Sequence, residues 1–415
     1  MLEQDANQGE ISREVETRWS MLFLIFGIGM AAAFQVGKVP PVLPLLRNDL
    51  GLSLFLAGWV LSAFNVLGAM ISPMAGAVSD WLGHRRLIMF GLGCMTAGSF
   101  AGAYAQSAIL LLGSRFLEGL GYIFIIISAP GLIIRVVGHK DLRIAFGIWG
   151  AFMPAGGATM MVMAPFLVSG FGWRGMWHIN AGLLFGFIVL VAWTTRDLAG
   201  HKIVTKSPLN KLWADIWQTL RSPGPALLAL CFATYAFQFL VVIGFLTTLL
   251  IEEEGLQHGL AAILSAIALA TNVPGNLLGG WLLQKGVKRW LLIMVASLIM
   301  GFCCFVIYVP IGGVVVRYVG CIIFMGAGGM IPASLLHGAA EHAPRPELVS
   351  TSNGLLMQGA QIGLLSGPPL VAFVVSRTGT WQSATWVLAI VALIGIGLSL
   401  GLRSVEKRKR ERMLL

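Results

Sequence analysis

The chain has 415 residues, 57% of them hydrophobic and only 11% charged, which is too apolar for a soluble domain of this size. Its formal charge of +10 matches nucleic acid in sign. Its basic residues, however, lie in short segments between apolar runs, so their placement argues for membrane topology and against a nucleic-acid surface. The five cysteines all fall in apolar runs without metal-ligand spacing to histidine, so they read as small packing residues and no metal or other cofactor is expected.

Apolar runs of about 20 residues recur along the chain, and at ~1.5 Å per residue each crosses a ~30 Å hydrocarbon layer. In chain order the predicted spans are 21–46, 54–75, 87–106, 108–134, 144–169, 175–194, 224–250, 259–283, 290–309, 312–337, 351–375 and 382–402. The first carries Gln35 and Lys38, three residues apart and so on one helical face. The fourth carries Arg115 and Glu118 at the same spacing, and Glu118 is the one carboxylate well inside a span. The tenth carries Arg317 about five residues from its start. A central charge costs about 2.5–3.5 kcal/mol on insertion scales, so these groups are expected to face other helices or a water-filled cavity. Lys38, Arg115 and Arg317 fall at similar depth. Three cations against one carboxylate favour an anionic ligand. The alternatives are that Lys38 snorkels to an interface, that Arg115 binds carbonyls of the first helix, and that Arg317 is its structural mirror.

Apart from Arg47, Arg174 and Arg377 in loops of the other side, the remaining basic residues set orientation. Arg13, Arg18, Arg85, Arg86, Arg135, Lys140, Arg143, the central loop, Lys285, Lys288, Arg289, Arg345 and the EKRKRER tail share one side. By the positive-inside rule that side is cytoplasmic, with both termini on it. The first eighteen residues are polar and acidic and read as a tail with no signal peptide. The C-terminal basic run reads as an anchor at anionic lipid head groups.

Shifted by about 203 residues, the chain resembles itself. Phe34-Gln35 recurs as Phe237-Gln238, and Leu61-Ser62-Ala63 as Leu264-Ser265-Ala266. Gly76, Gly83 and Arg86 map onto Gly279, Gly286 and Arg289, Arg115 onto Arg317, and Trp173 onto Trp381. The expected organisation is a tail (1–20), a six-helix bundle (21–194), a polar linker (195–223), a second six-helix bundle (224–402) and a basic tail (403–415). Parallel six-helix repeats joined by a linker are the plan of a large class of secondary transporters.

The loop GAVSDWLGHRR, Gly76 to Arg86, resembles the signature cytoplasmic loop of the major facilitator superfamily. RFLEGLG in the fourth span is similar to its arginine motif, with Glu118 where glutamine is common, and FGWRGMW (Phe171 to Trp177) to its approach to the sixth helix. APGLIIR and NGLLMQGAQIGLLSGPP resemble the cyanate-permease branch. The glycines around Pro154 are similar to a motif of drug/proton antiporters, but Met153 stands where that motif has glycine.

The resemblance implies an all-α membrane protein of twelve transmembrane helices in two pseudo-symmetric six-helix bundles. It implies that helices 1, 4, 7 and 10 line a central cavity, which adds Tyr235 and Gln238 to Gln35, Lys38, Arg115 and Arg317 as substrate-binding residues. It also implies gating by Gly76, Asp80, Gly83, Arg85 and Arg86, with Asp80 pairing with an arginine or capping a helix. In the second half Leu283 replaces that aspartate. An unpaired, desolvated carboxylate takes up a proton, so Glu118 is the candidate proton carrier.

No phosphate loop, nucleophile elbow or zinc motif appears, so an enzyme is not expected. The reading is a monomeric secondary transporter of the bacterial inner membrane. It would take up a small, organic anion with protons, embedded in lipid, by alternating access. The rivals are proton-driven efflux of an amphipathic drug or metabolite, and a membrane receptor that does not transport.

Overall fold

A computed structural model describes residues 16–74, 83–196 and 209–414. All regular structure among the described residues is helical. The spans are α1 (Trp19–Leu50), α2 (Leu54–Met74), α3 (His84–Ala103) and α4 (Ala108–Val136). A 51-residue stretch, Ile144–Thr194, reverses at Gly172, where φ is 67° and ψ 173°, and so makes two crossings, α5 (144–171) and α6 (173–194). The predicted polar linker contains a helix, α7 (Leu209–Arg221). The second half follows as α8 (Pro223–Glu252), α9 (His258–Gln284), α10 (Arg289–Tyr308), α11 (Gly313–His342), α12 (Val349–Thr378) and α13 (Ser383–Leu414).

Twelve crossings place Trp19, α7 and Leu414 on one face, called here the terminal face, and the α1–α2 and α5–α6 turns on the far face. Helix α13 runs well past the predicted end at 402, because its charged end is fastened. Arg289 lies 3.4 Å from Glu406, Lys409 donates to the Glu341 carbonyl, and the Arg403 guanidinium sits 4.8 Å from the Trp290 ring centroid.

The repeat seen in the sequence reappears in the backbone. Gly83 and Gly286 hold φ of 85° and 87°, and Gly51 and Gly255 hold 61° and 64°, at equivalent turns. On the far face Trp173 donates its indole N–H to Asp49 at 3.1 Å, and Trp381 does the same to Glu252 at 3.2 Å.

Lipid tails are as apolar as leucine, so helices associate through close packing, which small residues permit. A Cβ on Gly58 of α2 would stand 2.7 Å from the Pro368 carbonyl of α12, and one on Gly37 of α1 would stand 2.6 Å from Gly157 of α5. The halves meet through α2 against α12, α5 against α9, and the far end of α1 against α8. Ser62 donates to the Leu364 carbonyl (3.0 Å) and Gln358 to the Ala69 carbonyl (2.9 Å). At the far face Arg47 reaches Glu252 at 2.5 Å, and His258 donates to the Pro41 carbonyl at 2.5 Å. That end of the molecule is therefore tied shut between halves. Large apolar side chains such as Phe23, Phe90, Phe166, Trp193, Phe302 and Leu393 point outward, as a lipid-facing belt requires.

Candidate functional site

Helix α1 breaks where Lys38 stands. Pro40 and Pro41 lack the N–H groups that would bond carbonyls one turn back, so the first helical segment ends at Gly37 and a second starts at Val39. Helix α4 starts cleanly, with Ser107 as N-cap accepting from the Leu110 N–H at 3.4 Å, and carries Arg115 and Glu118 on one face. Gly98 of α3 leaves room for the carboxylate: a Cβ there would lie 2.8 Å from Glu118 Cγ.

These elements bring Lys38, Arg115 and Glu118 into one cluster. Lys38 and Glu118 are 0% exposed and Arg115 is 1% exposed. Lys38 Nζ donates to Glu118 Oε1 (2.6 Å), Gln35 Oε1 (2.6 Å) and Ser99 Oγ (2.9 Å), and stands 4.3 Å from the Trp177 ring centroid. Arg115 pairs with the other carboxylate oxygen, Oε2. It also donates to the Gln35 carbonyl (2.8 Å) and the Val60 carbonyl (3.3 Å), with its guanidinium 4.7 Å from the Phe64 ring centroid. Gln35 in turn donates to Asn180 Oδ1 at 3.2 Å.

Both carboxylate oxygens are thus taken by cations. With two cations and one carboxylate ionised, the cluster carries one uncancelled positive charge. Charge in a dry interior is tolerated only with close partners and satisfied donors; here α1, α2, α3, α4 and α6 all contribute them.

The geometry departs from the predicted constellation at Arg317 and bears on the alternatives open for Lys38 and Arg115. Arg317 does not join Lys38 and Arg115: its Nη1 stands 3.0 Å from Glu254 Oε1, in the connection after α8. Lys38 does not snorkel, and its ammonium turns toward α3 and α6 inside the first half. Arg115 does both things considered for it, binding backbone carbonyls and pairing with Glu118. Tyr235 and Gln238 lie on α8; the Tyr235 hydroxyl accepts from Asn272 Nδ2 at 3.1 Å, and Gln238 donates to the Thr234 carbonyl at 3.2 Å. The Gln238 Oε1 is buried with no partner among the described residues.

Of the gating residues, Gly76 and Asp80 lie outside the described residues. Gly83 turns the chain into α3. Arg85 donates to Thr195 Oγ1 (2.8 Å) and the Ala192 carbonyl (3.5 Å), so it closes the end of α6 within its own half. Arg86 is exposed. Sequence reasoning missed Ser99, Asn180 and Asn272, which extend the polar networks, and Trp177, which offers its ring face to Lys38 and its carbonyl to Ser99. The one signal of the three polar residues was neutral polarity within apolar runs.

Residues 21–357 match the Major Facilitator Superfamily. The chain belongs to that superfamily. It is 26% identical to a 2-nitroimidazole transporter of Escherichia coli, over 90% of this chain and 93% of that protein. It is 22% identical to the probable sulfoacetate transporter SauU of Cupriavidus necator, over 93% and 94%. Against a probable actinorhodin transporter of Streptomyces coelicolor the identity is 29%, but the match spans 42% of this chain and only 30% of that longer protein. In fold it is similar to a bacterial homologue of the human lysosomal transporter Spinster, solved in an inward-facing and occupied conformation. The TM-score is 0.74 at 17% identity, covering 93% and 94% of the two chains. The chain is therefore a multi-pass membrane transporter of the superfamily's fold, not an enzyme.

Proposed function

We propose that this transporter moves a small organic anion, coupled to protons, by alternating access between its two halves. The observation that carries the reading is the buried cluster of Lys38, Arg115 and Glu118 with one uncancelled positive charge. An anion that docks there completes the charge balance and suits the forked donors of Arg115. The similarity to a probable sulfoacetate transporter supports an anionic substrate. We assign coupling to Glu118, because an anion that draws Arg115 away leaves this carboxylate with one cation fewer. Uptake across the bacterial inner membrane, with the terminal face cytoplasmic, is the direction that the positive-inside pattern and this coupling favour.

Thermal stabilisation of the purified protein tests substrate sign. Small carboxylates or sulfonates should raise its melting point, and the shift should vanish in Arg115→Lys, which keeps the charge and loses the forked donors. Stabilisation by lipophilic cations alone defeats the reading. Coupling is tested in proteoliposomes: Glu118→Gln should retain counterflow exchange and lose accumulation driven by a proton gradient.

A further inference from the structure

Helix α7 precedes α8 by a single residue and rests across the starts of α8 and α12. Its polar side is held. Arg345, in the connection from α11 to α12, donates from Nη2 to Asp215 Oδ1 at 3.0 Å and to Gln218 Oε1 at 2.8 Å. Its apolar side is open. Trp213 is 60% exposed, Trp217 54% and Leu220 43%. Spacings of four and three residues put these three side chains in one stripe along the helix.

The position of the helix says what covers that stripe. Ser222 is extended (φ −78°, ψ 123°), so α7 does not continue the direction of α8. Arg221 and Pro223 are two residue steps apart, at most ~7.2 Å, so the end of α7 sits within that distance of a helix that crosses the hydrocarbon. Leu230, two turns into α8, already faces outward at the lipid-facing surface. The stripe therefore lies at the level where indole rings concentrate in membrane proteins. The Arg221 guanidinium stands 4.7 Å from the Trp217 ring centroid, a pairing that leaves an apolar body and a charged rim at one edge.

We propose that α7 is an interfacial anchor: Trp213, Trp217 and Leu220 seat in the bilayer at the terminal face, and the Arg345 clamp passes that fixed depth to the second half. The partner is the lipid surface itself. The linker between halves then ties the second half to the membrane plane while the first half moves against it.

The test uses the full chain in phosphatidylcholine/phosphatidylglycerol nanodiscs. Nitroxides are placed singly through Trp213→Cys, Trp217→Cys and Leu220→Cys, with Gln218→Cys as the polar reference. Power saturation should show the first three favouring oxygen over a water-soluble nickel complex, and position 218 the reverse. Preference for nickel at all four positions places the helix in water and overturns the proposal. Shielding of the three from both reagents means that protein covers the stripe, and overturns it equally. As a check without cysteine substitutions, the difference in emission between wild type and Trp217→Phe should itself be quenched by brominated lipid; if brominated lipid leaves that difference untouched, the proposal fails.

Discussion

Lys38 Nζ lies 2.6 Å from Glu118 Oε1, eighty residues away in sequence, with both side chains fully buried. Arg115 occupies the other oxygen of the same carboxylate, so the two cations are held apart by the one anion between them. The charge of the first half depends on which member is removed. Lys38→Met leaves a neutral Arg115–Glu118 pair, whereas Glu118→Gln leaves two facing cations. Breaking a buried pair so that charge stays uncompensated costs about 3–5 kcal/mol. Glu118→Gln should therefore lower the melting midpoint in detergent clearly more than Lys38→Met. An equal or reversed order would show that Lys38 does not depend on the carboxylate.

The fold was legible in the sequence because membrane spans are written in long apolar runs and the halves repeat with a nearly constant offset. Predicted and observed spans differ by a few residues except at α13, where the extension depends on contacts with Glu341 and Arg289 that no local pattern encodes. The cluster was half legible. Spacing placed Arg115 with Glu118 and Gln35 with Lys38, but joining the pairs needed the proline break in α1 and the glycine gap at Gly98. Arg317 stands apart from the cluster because depth along a helix says nothing about rotation around it. Glu254, its partner, sits in a connection that reads only as solvated charge.

Gly98 offers a second test of the cluster, with an internal control on the same helix. A side chain at 98 would meet Glu118 Cγ at 2.8 Å and the Ser114 carbonyl at 2.9 Å, while one at Gly93 would meet nothing within 4 Å. Overpacking of a tight contact costs about 1–3 kcal/mol. Gly98→Val should push the carboxylate away from Lys38 and reduce transport at least tenfold, while Gly93→Val should transport within about twofold of wild type. The comparison is read as initial uptake rate normalised to protein in the membrane. Equal rates in both variants would detach the cluster from transport.

The far face carries a cross-half tie with an asymmetric design. Asp49 pairs within its own half, with Arg174 at 2.6 Å, whereas its counterpart Glu252 reaches across to Arg47. Glu252 also accepts from the Trp381 indole, so one carboxylate at the end of α8 joins α1 and the turn between α12 and α13. Partly exposed ion pairs contribute about 0.2–1 kcal/mol, which corresponds to a population shift of about fivefold or less. Glu252→Gln should lengthen distances between spin labels at positions 48 and 257, and the exchanged pair Arg47→Glu with Glu252→Arg should restore them. If the single variant keeps wild-type distances, the tie does not hold this conformation.

Acid sensitivity is expected from His342, beyond the span at the terminal face. Its Nδ1 faces the Gly338 carbonyl at 3.1 Å, and its Nε2 is buried without a partner among the described residues. A Cβ on Gly224 would stand 2.8 Å from it, so α8 closes over the ring. Burial is the main cause that holds its pKa below the usual 6.5; the nearby Arg289 and Lys409 add to this, against the Gly338 carbonyl and Glu341. Unfolding frees the ring to take a proton at its ordinary value, so below pH 6.5 the unfolded chain binds more protons than the folded one. Stability must then fall as pH drops from about 6.5 toward the lowered folded value, and it is independent of this group above 6.5. His342→Gln fills the same space and cannot titrate. Melting midpoints measured between pH 5 and 8 should therefore decline less steeply on the acid side in the variant, with the two curves parallel above pH 7. Parallel curves across the whole range would mean that the ring is neutral in both states or charged in both, and would remove His342 as the source of acid sensitivity.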